Sequence, residues 1–240
     1  MGRIVSIIIP AFNEAKYIKD LISKINKINF SKINLKHEII VVDDGSEDNT
    51  FEILSEIQGI KVIKQKNLGK GRAVQKGIEL SCGDLILIQD ADLEYDPEDF
   101  YKLLEPFKFK KKISVYGSRP MNIFNKKSIF RDKHCKQSYG PYFMNKLLCF
   151  FFKILFKVNL TDPLTGYKVY EKDFFLNEKI QSNGFEADHE ITIKLLKSSY
   201  KIIEVPISYN PRTVKDGKKI RFIDAFIAFY VLIKFKFTKR

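Results

Sequence analysis

The 240-residue sequence predicts an α/β fold, in which helices flank a mainly parallel sheet and amphipathic helices follow in the C-terminal half. Two observations predict this fold. Short apolar runs alternate with helical patterns through the first hundred residues, an order that builds a parallel sheet with right-handed crossovers. Several of these runs also end in acids, amides or small residues, as strands do where they meet a ligand crevice.

The first two β-α units are predicted from apolar runs and helical periodicity. Residues 4–10 form a strand, and residues 14–28 form the helix that follows it. Residues 38–42 form the second buried strand. The polar residues 48–50 can then cap a helix that runs through residues 54–57.

Two further strands complete the predicted sheet of the first half. Residues 60–64 form a short strand, and a helix over residues 73–80 returns the chain to the sheet. Residues 85–88 are an unbroken apolar run between turn formers, which is typical of a central parallel strand buried on both faces. This run stops at two aspartates, Asp90 and Asp92.

Three loops are therefore expected to meet at one edge of the sheet, formed by residues 10–14, 43–46 and 90–94. Each loop alone is also ordinary turn or capping chemistry. At successive strand ends, however, their acids predict a binding site. Asp90 and Asp92 suit a hard divalent cation that also takes phosphate oxygens. The other acids can accept hydrogen bonds from base N–H and ribose hydroxyl groups, so the sequence predicts a pocket for a nucleoside diphosphate.

The formal charge of +13 predicts an anionic partner, and nucleic acid, a membrane surface and phosphate-bearing substrates are the three candidates. Bases are concentrated in residues 108–157 and 215–240, so the second half is expected to bind this partner. Nucleic acid is disfavoured because acids line the predicted crevice. Three cysteines without a CxxC pattern, and an N-terminus unlike a signal peptide, predict a cytoplasmic protein.

Two apolar segments near the C-terminus predict membrane contact. Residues 143–156 and 222–237 carry apolar faces with lysines at intervals, yet both are shorter than the roughly 20 residues needed to cross a bilayer. We therefore expect peripheral attachment. The expected division of the chain is a catalytic domain over residues 1–220 and a basic amphipathic helix over residues 221–240.

Four motifs together resemble the family 2 glycosyltransferases of the GT-A fold. They are PAFNE at 10–14, VVDDGSEDNT at 41–50, NLGKGRA at 67–73 and QDADLEYDP at 89–97. Within that family the chain looks most like polyprenyl-phosphate sugar transferases of the dolichol-phosphate mannose synthase type. The supporting segments are GSR at 117–119, LTDPLTGYKVY at 160–170, GFEADHEIT at 184–192 and EVPISYNPRTVKDGKKI at 204–220.

The resemblance implies a role for each matching residue. The metal ligands would be Asp90, Asp92 and Glu94. The nucleotide would be bound by Pro10, Ala11, Phe12, Glu14, Asp43, Asp44, Lys70, Asp90 and Ala91. The acceptor phosphate would be met by Arg119, Arg131, Arg212 and Lys218. Catalysis would depend on Asp92, Arg119 and Asp188.

The expected activity is metal-dependent, inverting transfer of a hexose from a GDP- or UDP-linked sugar to a polyprenyl or dolichyl phosphate, with Mg²⁺ or Mn²⁺ as cofactor. The expected location is the cytosolic face of a membrane. An integral membrane protein is a further candidate partner. One alternative is a hydroxyl acceptor on a cell-surface glycan, which needs a carboxylate base from Asp188, Glu190 or Asp162. An alternative of another class is a basic nucleic-acid-binding or membrane scaffold protein.

Overall fold

The computed structural model describes residues 2–121, 139–212 and 223–238. Within these residues, seven strands form one sheet in the order β3-β2-β1-β4-β6-β5-β7. The strands are β1 Ile4–Ala11, β2 Lys36–Asp43, β3 Lys61–Lys64, β4 Leu85–Ile88, β5 Ile113–Ser118, β6 Lys168–Glu171 and β7 Lys201–Pro206.

The prediction of a mainly parallel sheet is confirmed. Strand β1 pairs in parallel with β2 and β4, and β2–β3 and β5–β7 are also parallel pairs. Strand β6 is the exception, because it lies antiparallel between β4 and β5. The sheet therefore has a parallel half made by the N-terminal units and a mixed half made by later segments.

The helices with described bounds lie on both sides of the sheet. They are α1 Ile18–Asn26, α2 Thr50–Ser55, α3 Lys70–Leu80, α4 Phe100–Leu104, α5 Tyr139–Phe156, α6 Asp173–Asn177, α7 Ala187–Lys197 and α8 Ile223–Phe237. Short 3₁₀ turns occupy Phe30–Ile33, Pro97–Asp99 and Glu105–Lys108.

Helix α1 begins later than its sequence pattern predicts. The predicted start was residue 14, but residues 15–17 form a turn and the helix begins at Ile18. Asn13 has a φ of 54°, a left-handed conformation that interrupts regular structure at this point. The buried positions Ile18, Leu21, Ile22 and Ile25 nevertheless follow the predicted helical spacing.

Apolar side chains cover both faces of the sheet. In β1, Ile7 and Ile9 pack into one core with α1 and α4, whereas Ile8 packs into a second core. This second core also contains residues of α3, α6 and α7. The alternation follows from the two-residue period of a strand. Burial on both faces explains why β4 is entirely apolar and why β1 is apolar except for Ser6.

Helices α5 and α8 pack together against α7. Leu148 and Phe152 of α5 lie in one cluster with Val231 and Leu232 of α8 and Ile193 of α7. The prediction of two apolar helices in the second half is consistent with this arrangement. The predicted boundary at residue 220 lies outside the described residues.

Candidate active site

The loops after β1 and β2 are bonded to each other at the predicted edge of the sheet. Ala11 pairs with Asp43 at the ends of the two strands. The Asn13 amide donates to Ser46 Oγ (2.9 Å), and the Glu14 amide donates to Thr50 Oγ1 (2.9 Å). Strand β4 ends beside β1, with Ile88 opposite Ile8. The carboxyl ends of three neighbouring strands thus meet, as the sequence predicts.

The two aspartates after β2 have different surroundings. Asp44 accepts from the amides of Leu68 (2.9 Å) and Gly69 (2.8 Å), so it shapes the loop that leads into α3. Asp43 is fully buried, and its Oδ1 accepts from the Ser46 amide (3.1 Å). Among the described residues nothing donates to Asp43 Oδ2. That buried oxygen is therefore an acceptor whose hydrogen-bonding capacity is unused.

Glu14, Asp92 and Glu94 share one guanidinium. Arg212 Nη1 lies 3.1 Å from Glu14 Oε2, and its Nη2 lies 2.9 Å from Asp92 Oδ2. The Arg212 amide donates to Glu94 Oε1 (3.0 Å), which is also 3.5 Å from Arg212 Nε. We call Glu14, Asp92, Glu94 and Arg212 the acid-rich cluster.

The pKa of Asp92 reflects this excess of acids. Burial first, and then the charges of Asp90 and Glu94, raise this pKa to about 7 against the opposing charge of Arg212. For Arg212, burial alone would lower the guanidinium pKa, but the charges of Asp92, Glu14 and Glu94 outweigh burial and raise it. The acid-rich cluster therefore favours any added positive charge.

Asp90 and Asp188 share the ammonium groups of Lys70 and Lys168. Lys70 Nζ lies 2.7 Å from Asp90 Oδ1 and 3.9 Å from Asp188 Oδ2. Lys168 Nζ lies 3.7 Å from Asp188 Oδ1, and its side chain is buried. We call Lys70, Asp90, Lys168 and Asp188 the balanced cluster, because its carboxylates and ammonium groups are equal in number.

The balanced cluster changes the pKa of its own members. Burial would raise the pKa of Asp188, but Lys168 and then Lys70 outweigh it and lower that pKa. Burial lowers the pKa of Lys168 despite the nearby carboxylates. In contrast, the pKa of Lys70 is raised, because Asp90 and Asp188 overcome the effect of its burial. Asp188 is thus held as a carboxylate.

A third ion pair lies beside β5. Arg119 Nε and Nη2 each lie 2.6 Å from an oxygen of the buried Asp162, which makes a bidentate pair. The Arg119 guanidinium also lies over the Tyr209 ring, at 5.0 Å. Glu204 accepts from the Asp162 amide (2.9 Å) and fixes the segment that carries this aspartate. Both partners of the pair are therefore rigidly placed.

A family model for "Glycosyl transferase family 2" matches residues 6–176. The chain belongs to glycosyl transferase family 2. Its resemblance to that family is thereby confirmed, and the protein is a glycosyltransferase.

The most similar proteins include two archaeal lipid-phosphate transferases. A dolichol-phosphate mannosyltransferase of Pyrococcus furiosus is 31% identical over 227 residues, which cover 89% of this chain and 58% of the relative. A UDP-N-acetylglucosamine–dolichyl-phosphate N-acetylglucosaminyltransferase of Methanococcus voltae is 29% identical over 262 residues, covering 99% of this chain and 98% of the relative. The glycosyltransferase thus spans little more than half of the first relative and nearly all of the second.

Solved structures show the same fold. A glucosyl-3-phosphoglycerate synthase from Mycobacterium tuberculosis, crystallised with Mn²⁺, uridine diphosphate and phosphoglyceric acid, superposes with a TM-score of 0.73. The match covers 100% of this chain and 80% of the synthase, at 18% identity. At that identity the comparison establishes the GT-A fold of the transferase and nothing finer.

The carboxylates of Asp90 and Asp92 in the transferase are chemically suitable ligands for a divalent cation. Within the described parts of the chain, no three His, Cys, Asp or Glu side chains are arranged so that they could hold a metal ion. Mg²⁺, however, needs only one or two carboxylates when substrate phosphates complete its shell. Asp90 and Asp92 offer such carboxylates, and each is now paired with a cationic side chain, Lys70 or Arg212. Metal ligands would therefore have to be released from these pairs.

The structure brings most of the predicted residues of the transferase together. Pro10 and Ala11 end β1, and Ala91 lies buried between the two aspartates. Phe12 follows in the first loop. Arg131 and Lys218 lie outside the described residues. Arg212, for which contact with the acceptor phosphate stays a prediction, bonds Glu14 and Asp92 of the predicted donor and metal site.

Two contributors to the site were missed in the sequence. Lys168 lies in β6 opposite Ile88, next to the end of β4. A Cβ on Gly166 would lie 2.2 Å from Asp90 Oδ2, so only glycine lets Asp90 approach. Both belong to the segment LTDPLTGYKVY, in which a lysine followed by apolar strand residues was the available signal.

Proposed function

We propose that this glycosyltransferase moves a hexose from a GDP- or UDP-linked sugar to a polyprenyl or dolichyl phosphate, with inversion and with Mg²⁺ or Mn²⁺ bound. The names of the archaeal relatives support a lipid phosphate acceptor. The observation that carries the proposal is the pairing of all three candidate general bases with cationic side chains.

Each candidate base is neutralised by a close partner. Asp188 lies between Lys70 and Lys168, and Asp162 holds Arg119 in a bidentate pair. Glu190 lies 2.7 Å from Lys194. It also accepts from the amides of Gln181 and Ser182. Lys194 and these hydrogen bonds together outweigh burial and lower the pKa of Glu190.

This pairing favours a phosphate acceptor over a hydroxyl acceptor. A general base works best when its pKa is near the operating pH, whereas the pKa values of Asp188 and Glu190 are lowered. A lipid monophosphate needs no base, because its oxygen is already anionic. That oxygen attacks the anomeric carbon while the bond from this carbon to the diphosphate oxygen breaks. The nucleoside diphosphate leaves with the electron pair, and the anomeric configuration inverts.

The donor is proposed to occupy the edge formed by β1, β2 and β4. Asp43 Oδ2 would accept a hydrogen bond from the base or ribose, since it is a buried oxygen for which the described residues provide no donor. Asp90 and Asp92 would hold the cation, whose charge is needed against the leaving diphosphate. Lys70 would meet phosphate oxygens beside Asp90, from which its ammonium group is 2.7 Å away.

The acceptor lipid is proposed to arrive at a membrane surface formed by α5 and α8. These helices bury one face, yet they expose large apolar side chains on the other: Tyr142, Phe143, Phe150, Ile154, Ile227, Phe229, Tyr230, Ile233 and Phe237. Exposed lysines, including Lys146 and Lys234, accompany them. Among the described residues, no helix has the length and hydrophobicity to span a bilayer.

Such a surface favours peripheral binding to anionic lipid, with apolar side chains in the interface and lysines at the headgroups. The free thiols of Cys82 and Cys149 support a reducing compartment, and hence the cytosolic face. We also propose an integral membrane partner, and we propose that residues 221–240 form a basic amphipathic helical unit of their own.

The acceptor test compares a short-chain polyprenyl phosphate with the corresponding alcohol. Purified protein is given each acceptor with UDP- and GDP-sugars in Mn²⁺, in Mg²⁺ or in EDTA, and products are identified by mass spectrometry. Transfer to the phosphate alone, lost in EDTA, supports the proposal. Preferred transfer to the alcohol would replace it with the hydroxyl-acceptor alternative.

The membrane part is tested separately by flotation with phosphatidylglycerol-containing vesicles. Phe150→Ser together with Tyr230→Ser should weaken binding at least about tenfold, since each substitution removes apolar area from the interface. Phe109→Ser is the matched control, because Phe109 is 83% exposed but lies outside both helices. Equal binding by all three proteins would rule out this surface.

A further inference from the structure

Arg212 occupies the position of a cation within the acid-rich cluster. Its guanidinium contacts Asp92 at 2.9 Å and Glu94 at 3.5 Å, which are two of the three predicted metal ligands. It also contacts Glu14, which is predicted to bind the nucleoside, at 3.1 Å. One side chain thus bridges the predicted metal ligands and the first loop of the donor site.

These contacts leave little room for a second cation on the same oxygens. The Arg212 side chain is 13% exposed, and Asp92 and Glu94 are 17% and 11% exposed. The attraction between a carboxylate and a cation a few ångströms away is strong in such a shielded place, and so is the repulsion between two cations. A guanidinium and a divalent ion on Asp92 would therefore exclude each other.

The cluster is also tied to the backbone that carries Arg212. The amides of Arg212 and Asn210 donate to the side chain and the carbonyl of Glu94, respectively. The Tyr209 hydroxyl donates to Glu94 Oε2 (2.7 Å). Glu94 can keep these contacts while the long guanidinium side chain moves, so the exchange needs no refolding of the loop.

We propose that Arg212 is an internal counter-cation that competes with the divalent metal for Asp92 and Glu94. A nucleoside diphosphate relieves the competition, because its phosphates give the guanidinium another anionic partner. Metal binding is then strong only together with the nucleotide. This inference rests on the proposed function, since it assumes a metal held at Asp90 and Asp92 with Glu94 beside them.

Mn²⁺ binding, followed by the electron paramagnetic resonance signal of the free ion, tests the inference without any turnover. Arg212→Gln should bind Mn²⁺ about tenfold or more tightly than the natural protein when no nucleotide is present. Arg212→Lys retains the charge and should bind as weakly as the natural protein. Arg72→Gln is the control, because Arg72 is exposed and its guanidinium bonds Gln75 rather than an acid.

The effect of nucleotide gives a second measurement, of which the part made on the natural protein does not depend on the variant being stable. With UDP or GDP present, Mn²⁺ should bind the natural protein more tightly than it binds the protein alone. It should also bind more tightly than it binds the free nucleotide in solution. In Arg212→Gln the gain should be smaller. Circular dichroism verifies that each variant is folded before it is titrated.

The outcomes separate the inference from the proposed function. Equal Mn²⁺ affinity in the natural protein, Arg212→Gln and Arg72→Gln, with nucleotide promoting binding equally, would overturn the role of Arg212 and leave metal dependence intact. Absence of Mn²⁺ binding in every protein, even with UDP or GDP, would remove the metal from the proposed function and the inference with it.

Discussion

Asp90 and Asp92 are two residues apart, yet they belong to clusters of opposite character. In the acid-rich cluster three carboxylates share the guanidinium of Arg212. In the balanced cluster two carboxylates have the ammonium groups of Lys70 and Lys168. The side chains of one short loop therefore face an uncompensated site on one side and a neutral one on the other.

The difference indicates that the two clusters have different functions. In the acid-rich cluster, burial and the charges of Glu94 and the neighbouring Asp90 raise the pKa of Asp92 to about 7, so this cluster can accept a further cation. The balanced cluster lowers the pKa of Asp188, because Lys168 and Lys70 outweigh its burial, and it gains nothing from another charge. We interpret the first cluster as the place where ligand charge is added and the second as a fixed support.

The largest expected effect comes from removing a carboxylate of the acid-rich cluster. Asp92→Ala should lower kcat/KM by about a thousandfold, as loss of a preorganised group that stabilises developing charge does. The fold should persist, because the variant also relieves repulsion with Asp90 and Glu94. Steady-state kinetics with Mn²⁺ and thermal unfolding check both statements. Asp20→Ala, an exposed aspartate in α1, is the control, and full activity of Asp92→Ala would refute the role of this carboxylate.

Gly166→Ala tests whether Asp90 must keep its place between the clusters. The new Cβ would lie 2.2 Å from Asp90 Oδ2, so this carboxylate must move away from its present position. We expect kcat/KM to fall about a hundredfold while stability falls by about 1–3 kcal/mol. Kinetics and urea unfolding separate the two losses. Gly2→Ala provides the comparison, since a Cβ there meets its nearest neighbour at 3.4 Å. Unchanged kinetics in Gly166→Ala would mean that Asp90 tolerates displacement.

His189, beside the balanced cluster, is expected to make stability depend on pH. Burial and then the charge of Lys168 lower its pKa to about 4, from an ordinary value of 6.5. The unfolded chain therefore binds the proton first, and stability is lost as pH falls from about 6.5 towards 4. The natural protein should lose about 2 kcal/mol from this group between pH 7 and pH 5.

Urea unfolding at the two pH values measures this contribution of His189. His189→Gln cannot titrate, so its stability should fall by that much less than the stability of the natural protein over the same interval. Identical pH dependence of the two proteins would mean that His189 is not held neutral by its surroundings.

The smallest effect is expected for Lys168→Met, which unbalances the second cluster by one charge. Lys168 is the strongest of the groups that lower the pKa of Asp188, so this pKa should rise in the variant. Turnover should fall only about tenfold, as is usual when a residue acts through its neighbours. Carboxyl ¹³C NMR follows the titration and kinetics the rate. Lys76→Met, on the exposed face of α3, should change neither, and an unshifted Asp188 would show that Lys168 does not control it.

The strands and loops at the edge formed by β1, β2 and β4 were predictable because their signals are local. Apolar runs ending in acids marked β1, β2 and β4, and the structure brings their ends together. Strand β6 was not predicted, because its partners are distant in sequence and its sequence, KVYE, places only two apolar residues between Lys168 and Glu171. Pairing across the sheet depends on tertiary packing, which no local pattern encodes.

The ionic partners were the least predictable part of the site. Arg119 and Asp162 are 43 residues apart, and Arg212 and Asp92 are 120 residues apart. The sequence indicated that these residues carry function, but it could not indicate that each arginine already binds a carboxylate. The left-handed conformation of Asn13, which precedes the late start of α1, was equally unpredictable from the sequence. Asparagine adopts several backbone conformations before a helix.

The antiparallel insertion of β6 has a consequence for biosynthesis. Strand β4 is complete long before its second neighbour, since Ile88 pairs with Lys168. Until β6 emerges from the ribosome, the apolar edge of LILI is open and can pair with another nascent chain. Premature termination between these strands should therefore yield insoluble fragments rather than a smaller folded domain.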